Sequence, residues 1–120
     1  MQNIILLIIF TFLFIGCENK SNKYEYITKD ASFRKKIEKG NFIKLSNGYT
    51  YYEVENIKNR ELLVFVHGFS VPSYIWDLTY NEAKERGYGV IKLDLYGRGY
   101  SDNPDIIYND RLFGDQVIEL

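Results

Sequence analysis

The 120-residue chain contains little of what enzymes most often use for acid–base and redox chemistry. It has one histidine and one cysteine. The single histidine leaves one imidazole for proton transfer, and the single cysteine excludes an intrachain disulfide. The formal net charge is −1, so neither nucleic acid nor an anionic membrane surface is favoured as a partner. We expect no nucleic acid, no metal and no cofactor.

The N-terminus lacks an apolar run long enough to cross a bilayer. The run at 4–15 has about 12 residues, whereas a spanning helix needs ~20, and this length is typical of a secretory signal. The Gly16-Cys17 pair at its end resembles a bacterial lipoprotein processing site, in which Cys17 becomes the new N-terminus and its sulfur carries lipid. An uncleaved anchor and a plain secretory signal are the alternatives. We expect a signal peptide at 1–16 and an exported lipoprotein, anchored in the bacterial cell envelope through palmitate-type acyl chains on Cys17.

A polar tether at 17–40 is expected to follow, since this stretch has no sustained apolar period. Within it, 31–39 could form a short helix that packs on the edge of the domain. Asp30 would cap this helix and Gly40 would end it.

The globular part is expected at 41–120, with alternating strands and helices. Asn-Gly within Ser46–Gly48, between two strand-like runs, predicts an antiparallel hairpin. The apolar run 62–66 predicts a parallel strand buried on both faces. A helix should begin near Pro72-Ser73, with Ile75, Leu78, Thr79, Glu82 and Ala83 at helical spacing, followed by a buried strand at 90–95. Asp110 should cap the last helix, which should carry Leu112, Phe113, Gln116, Val117 and Leu120 on one face.

Two loops at strand ends carry the main motifs. VFVHGF at 64–69 places His67-Gly68-Phe69 directly after one strand, and DLYGRGYSDNP at 94–104 follows the next. The Gly97-Arg98-Gly99 segment is not a dinucleotide fingerprint, because a third glycine and a directly following helix are missing. Together, in this order and with a helix between them, the two loops resemble the N-terminal part of the α/β-hydrolase superfamily.

This resemblance implies an α/β fold, consisting of an antiparallel hairpin followed by a βαβ unit of a mostly parallel sheet. It also implies an oxyanion loop at His67 and Gly68, with the Phe69 N–H as one donor of the oxyanion hole. Gly68 would permit the backbone angles that bring this N–H to a bound oxygen. His67 would be structural, not a base. The second loop would be structural as well, through Asp94, Gly97, Arg98, Gly99 and Ser101.

The sequence contains no G-x-S-x-G turn, and no histidine besides His67. By resemblance, the nucleophile, the acid and the catalytic histidine would follow residue 120, so the chain is expected to be an inactive N-terminal fragment of a hydrolase. In its full-length form that hydrolase would act on a small ester-like substrate, while the N-terminal lipid would bind the membrane. Two alternatives stay open: a non-enzymatic surface lipoprotein that serves as a binding module, and an epoxide or carbon–carbon bond hydrolase of the same fold.

Overall fold

The computed structural model describes residues 29–58 and 61–120. In chain order, the elements are helix α1 (Ala31–Lys35), strands β1 (Asn41–Leu45), β2 (Gly48–Glu55) and β3 (Leu62–Val66), a 3₁₀ turn (Ser73–Trp76), helix α2 (Asp77–Glu85), strand β4 (Gly89–Leu93) and helix α3 (Asp110–Glu119). The predicted signal peptide at 1–16 and Cys17, the predicted lipidation site, lie outside the described residues. No helix in the described ranges is both long enough and apolar enough to span a membrane.

The four strands form one mixed sheet in the order β1-β2-β4-β3. β1 and β2 form the antiparallel hairpin predicted from Asn47-Gly48, and β2 also runs antiparallel to β4. β3 and β4 are parallel and are joined through the 3₁₀ turn and α2. All five residues of β4 are buried. The α/β class and the hairpin–βαβ architecture are therefore as the sequence predicts.

The burial expected for β3 was wrong. Leu62 and Val64 are 45% and 47% exposed, and Leu63 and Val66 are exposed as well. β3 pairs only with β4 in the described sheet, so it forms an edge and its other side has no neighbouring strand. An apolar run indicates that a strand is suited to burial on both faces. Whether it is buried depends on the strands and helices that pack against it, which the run itself does not specify.

Helix α2 packs only in part through the face predicted, because Ala83 is buried as expected but Ile75 and Leu78 are not. Its buried residues are Tyr80 and Ala83, whereas Leu78 is 87% exposed and Ile75 is exposed. Tyr80 and Ala83 form a small apolar core with Val90 of β4. The 3₁₀ turn rotates the start of α2 relative to a continuous helix, because a 3₁₀ turn has 3.0 residues per turn instead of 3.6. The periodicity counted from Ile75 therefore identified Ala83 correctly but not the other buried residue, Tyr80.

The two remaining helices begin with side-chain caps. Asp30 accepts a hydrogen bond from Phe33 N at 2.8 Å, as the sequence predicts, but α1 ends at Lys35 and not at Lys39. The cap of α3 is Asn109, which accepts from Leu112 N at 2.9 Å, and not Asp110. The predicted inner face of α3 is correct, since Leu112 and Gln116 are buried.

Candidate active-site loops

His67 follows the last residue of β3 and is buried. Its Nε2 accepts a hydrogen bond from Leu95 N at 2.9 Å. A ring nitrogen that accepts carries no proton, so the neutral ring holds its proton on Nδ1 and donates it to Gly68 O, 2.6 Å away. Both ring nitrogens are therefore engaged with backbone groups of the two loops. This arrangement makes His67 a structural bridge and leaves no nitrogen for a general base.

The same bond orients the peptide between Gly68 and Phe69. This peptide is trans, so its carbonyl and its N–H point in opposite directions. With Gly68 O turned toward the His67 ring, the Phe69 N–H points away from that ring. Gly68 does not have a positive φ, and a Cβ there would meet nothing within 4 Å. The expectation that Gly68 is needed for its backbone angles was thus wrong. Because glycine has no side chain, the space beside the Gly68–Phe69 peptide is open.

Arg98 connects the second loop to the first. Its Nε donates to Phe69 O at 2.6 Å, and a terminal nitrogen donates to Gly97 O at 2.9 Å. The guanidinium carbon also lies 4.5 Å from the centre of the Phe69 ring, although that side chain is 84% exposed. One cation thus contacts both the main chain and the side chain of Phe69.

The second loop is built around the buried carboxylate of Asp94, which directly follows β4. Its Oδ1 accepts from Ser73 N and its Oδ2 accepts from Tyr100 N, each at 2.8 Å. Ser101 is also buried, and its hydroxyl donates to Asp94 O at 2.5 Å while accepting from Tyr51 N at 2.9 Å. These bonds tie the loop to the 3₁₀ turn on one side and to β2 on the other.

Two glycines of this loop adopt left-handed backbone angles, with φ of +76° at Gly97 and +49° at Gly99. A Cβ on Gly97 would lie 2.8 Å from the Tyr108 ring. A Cβ on Gly99 would lie 2.0 Å from Asp94 Oδ2. Side chains are therefore excluded at both positions, by conformation and by space.

Residues preceding the sheet also bind this loop. Lys29 Nζ donates to Ser101 O and to Asn103 Oδ1, the latter at 3.0 Å. Arg34 lies 3.4 Å from Asp102 and stacks on the Tyr49 ring, with its guanidinium carbon 3.9 Å from the ring centre. Burial lowers the pKa of Lys29, while the nearby Asp102 and Asp94 carboxylates oppose that shift. Part of the stretch expected as a tether thus packs on the domain.

A buried charged cluster lies on the sheet next to these loops, and sequence reasoning missed it. Lys92 of β4 is only 2% exposed, and its Nζ pairs with Asp77 and with Glu53 Oε1, the latter at 3.0 Å. Glu53 also pairs with Lys39 at 2.9 Å and accepts from Tyr51 OH at 2.9 Å. Burial alone would raise the pKa of Glu53, but the hydrogen bonds from Lys39, Lys92 and Tyr51 outweigh it and hold the pKa below its usual value.

This cluster lies at a cavity of about 590 Å³ that Asp94 and Tyr100 also line. Its charges are paired with one another, so the cluster holds β2, β4 and α2 together. A lysine inside an otherwise apolar strand was the signal that could have revealed it. A strand buried on both faces must pair such a lysine with a carboxylate.

No three histidine, cysteine or acidic side chains are placed to share a metal ion in residues 29–58 and 61–120. The Ser101 hydroxyl is not activated either. Ser101 Oγ donates to Asp94 O, and His67 already uses both ring nitrogens. The chemical group that the described loops present is the Phe69 N–H, a hydrogen-bond donor next to the open space at Gly68.

Comparisons with known proteins agree with this architecture. No family model matches the chain. The AB hydrolase superfamily protein YisY of Bacillus subtilis (strain 168) is 32% identical over 78 residues, which is 65% of this chain and 29% of that protein. An esterase from Exiguobacterium antarcticum aligns with a TM-score of 0.60 at 26% identity, covering 67% of this chain and 30% of its own. The haloalkane dehalogenase DpaA from Paraglaciecola agarilytica NO2 aligns with a TM-score of 0.62 at 24% identity, covering 68% and 29%.

The chain therefore has the fold of part of an α/β-hydrolase domain, and its sequence is similar to that of an AB hydrolase superfamily protein. It spans about 29% of the length of the curated relative and 29–30% of the length of these two solved structures.

Proposed function

We propose that this chain is part of a serine-type hydrolase that cleaves an ester or related acyl bond, with the Phe69 N–H as one oxyanion-hole donor. The orientation of the Gly68–Phe69 peptide carries this proposal. His67 Nδ1 lies 2.6 Å from Gly68 O, which turns the Phe69 N–H in the opposite direction. A donor that is held in advance stabilises a developing oxyanion without reorganising during the reaction.

An acyl bond is proposed because a solved structure that is 26% identical to this chain is an esterase, and because an oxyanion-hole donor suits acyl transfer. A small ester-like molecule would be the substrate of the longer form. The nucleophile, the acid and the catalytic histidine would come from sequence beyond these 120 residues. Alone, the chain would be inactive, since His67 has no free ring nitrogen to activate a serine.

The same proposal includes export and membrane anchoring through lipid on Cys17, which rests on the Gly16-Cys17 boundary after the apolar run. We expect the mature native chain to begin at Cys17 and to partition into detergent, and Cys17→Ala to abolish both. Mass spectrometry that finds an intact Met1 or an unmodified Cys17 in the native host would contradict the anchor.

The activity is tested with a fluorophosphonate serine probe and a short-chain nitrophenyl ester. The 120-residue chain should show neither labelling nor turnover above buffer. A longer native product containing this sequence should show both, and Phe69→Pro, which removes the donor N–H, should lower its turnover by ~10²- to 10³-fold. Labelling of the bare chain at Ser70, Ser73 or Ser101 would overturn the proposal, because a nucleophile would then exist without a base. A native product that folds stably but is never labelled would favour a binding module.

A further inference from the structure

We propose that Arg98 is a positioning residue for the oxyanion loop. The inference rests on the proposed function above, and it extends that function to a residue outside the loop itself. Arg98 lies on the loop after β4, and it reaches across to Phe69, which lies on the loop after β3.

Among the described residues, few contacts other than those with Arg98 restrain the Phe69 side of the loop. The Phe69 side chain is 84% exposed, and a Cβ at the neighbouring Gly68 would have no atom within 4 Å. Among the described residues, the ring contact recorded for Phe69 is the Arg98 guanidinium, 4.5 Å from the ring centre. Without packing, the position of this segment depends on its hydrogen bonds.

Hydrogen bonds between the two loops form a closed circuit. His67 holds Gly68 O and accepts from Leu95 N, and Arg98 N donates to Leu95 O at 3.0 Å. The Arg98 side chain then returns to Phe69 O at 2.6 Å. The peptide that contains the donor N–H is thus held through Gly68 O on one side, and the next carbonyl along the chain is held by Arg98 on the other.

The charge of Arg98 is directed at carbonyl groups. No carboxylate pairs with its guanidinium in the described part of the chain, where its partners are the carbonyls of Phe69 and Gly97. A planar guanidinium can hold two carbonyls in a fixed geometry and also cover an aromatic face. Lysine supplies the charge without the planar fork, so the two residues should not be equivalent here.

Chymotrypsin gives a direct test, because it cleaves after aromatic residues and the Phe69 carbonyl would be the scissile one. The full chain at low micromolar concentration is treated with the protease, and the rate of cleavage between Phe69 and Ser70 is followed by mass spectrometry. Arg98→Gln should raise this rate at least ~10-fold, since it removes a charge-assisted hydrogen bond. Arg98→Lys should give a cleavage rate between those of the wild type and Arg98→Gln. If Arg98→Gln does not fold, the comparison of Arg98→Lys with the wild type tests the proposal.

Two controls separate positioning from a general loss of stability. Arg111→Gln removes an arginine whose side chain is 88% exposed, and it should leave the cleavage at Phe69 unchanged. Cleavage after the buried Tyr96 reports wider unfolding, and Arg98→Gln should leave it unchanged. An equal rise at Phe69 and Tyr96, or no rise at Phe69, would overturn the proposal. If a longer product were not labelled by the serine probe, the proposed hydrolase function would be contradicted. The rate of cleavage at Phe69 would still test the role of Arg98 independently.

Discussion

The steric restriction at Gly99 yields the sharpest stability prediction. Gly99→Ala would place a Cβ 2.0 Å from Asp94 Oδ2 and 2.4 Å from Asp94 Cγ, so the carboxylate could not stay where it is. That carboxylate accepts from both Ser73 N and Tyr100 N. Moving it releases at least the bond to Tyr100, which lies next to the substituted residue.

Two terms give the expected size. A left-handed conformation at φ +49° costs an alanine about 1–2 kcal/mol. Loss of one hydrogen bond to a charged group costs about 1.5–3 kcal/mol. Together they predict a loss of about 2.5–5 kcal/mol in the free energy of unfolding. This is a large share of the 5–15 kcal/mol typical of native proteins.

Urea denaturation of the full chain, followed by far-ultraviolet circular dichroism at low micromolar concentration, measures this loss. Gly114→Ala is the matched control, because Gly114 lies in α3 and a Cβ there would meet nothing within 4 Å. The control should gain about 0.5–1 kcal/mol, as alanine suits a helix better than glycine does. If Gly99→Ala lies within about 1 kcal/mol of the wild type, the Asp94-centred account of the loop is refuted.

Acidification should destabilise the fold through Glu53, whose pKa is held below its usual value in the folded state. The stabilisation by Glu53 is present above its unfolded pKa, near 4.5, and is lost as pH falls through the lower folded pKa. In a plot of urea midpoint against pH, Glu53→Gln should therefore reduce the loss of stability at acidic pH. An unchanged loss would contradict this. The exposed edge of β3 should promote self-association, so Val64→Lys should lower the weight-average mass in sedimentation velocity. Ile118→Lys, at an exposed position on α3, should not reproduce the decrease, and equal effects of the two substitutions would argue against the edge.

Features that depend on neighbouring residues could be predicted from the sequence. Asn47-Gly48 specifies the hairpin turn, and Asp30 specifies the start of α1. The apolar runs placed β3 and β4 correctly as a parallel pair. In each case the deciding interaction lies within a few residues along the chain, or follows from the right-handed βαβ connection.

Features that depend on distant partners could not be predicted. The exposure of β3 reflects what lies beside it in the sheet, which no local pattern encodes. The Lys92 cluster joins residues of β2, β4 and α2 that are 15 or more positions apart in sequence. The motif identified the loop residues, but it did not indicate that Arg98 reaches Phe69, because side-chain contacts between loops depend on their relative positions in space.

The distribution of buried groups explains how a partial fold can hold a site loop in place. The apolar core between α2 and the sheet is small, with Tyr80, Ala83 and Val90 at its centre. By contrast, the carboxyl end of β4 is dense in satisfied polar groups, and Gln116 of α3 adds bonds to Tyr96 N at 3.0 Å and to Asp94 O at 3.1 Å. Hydrogen bonds of this kind fix direction, whereas apolar contacts constrain it weakly. The geometry around Phe69 is therefore set by the polar network of the two loops, and the exposure of β3 should affect association more than it affects this geometry.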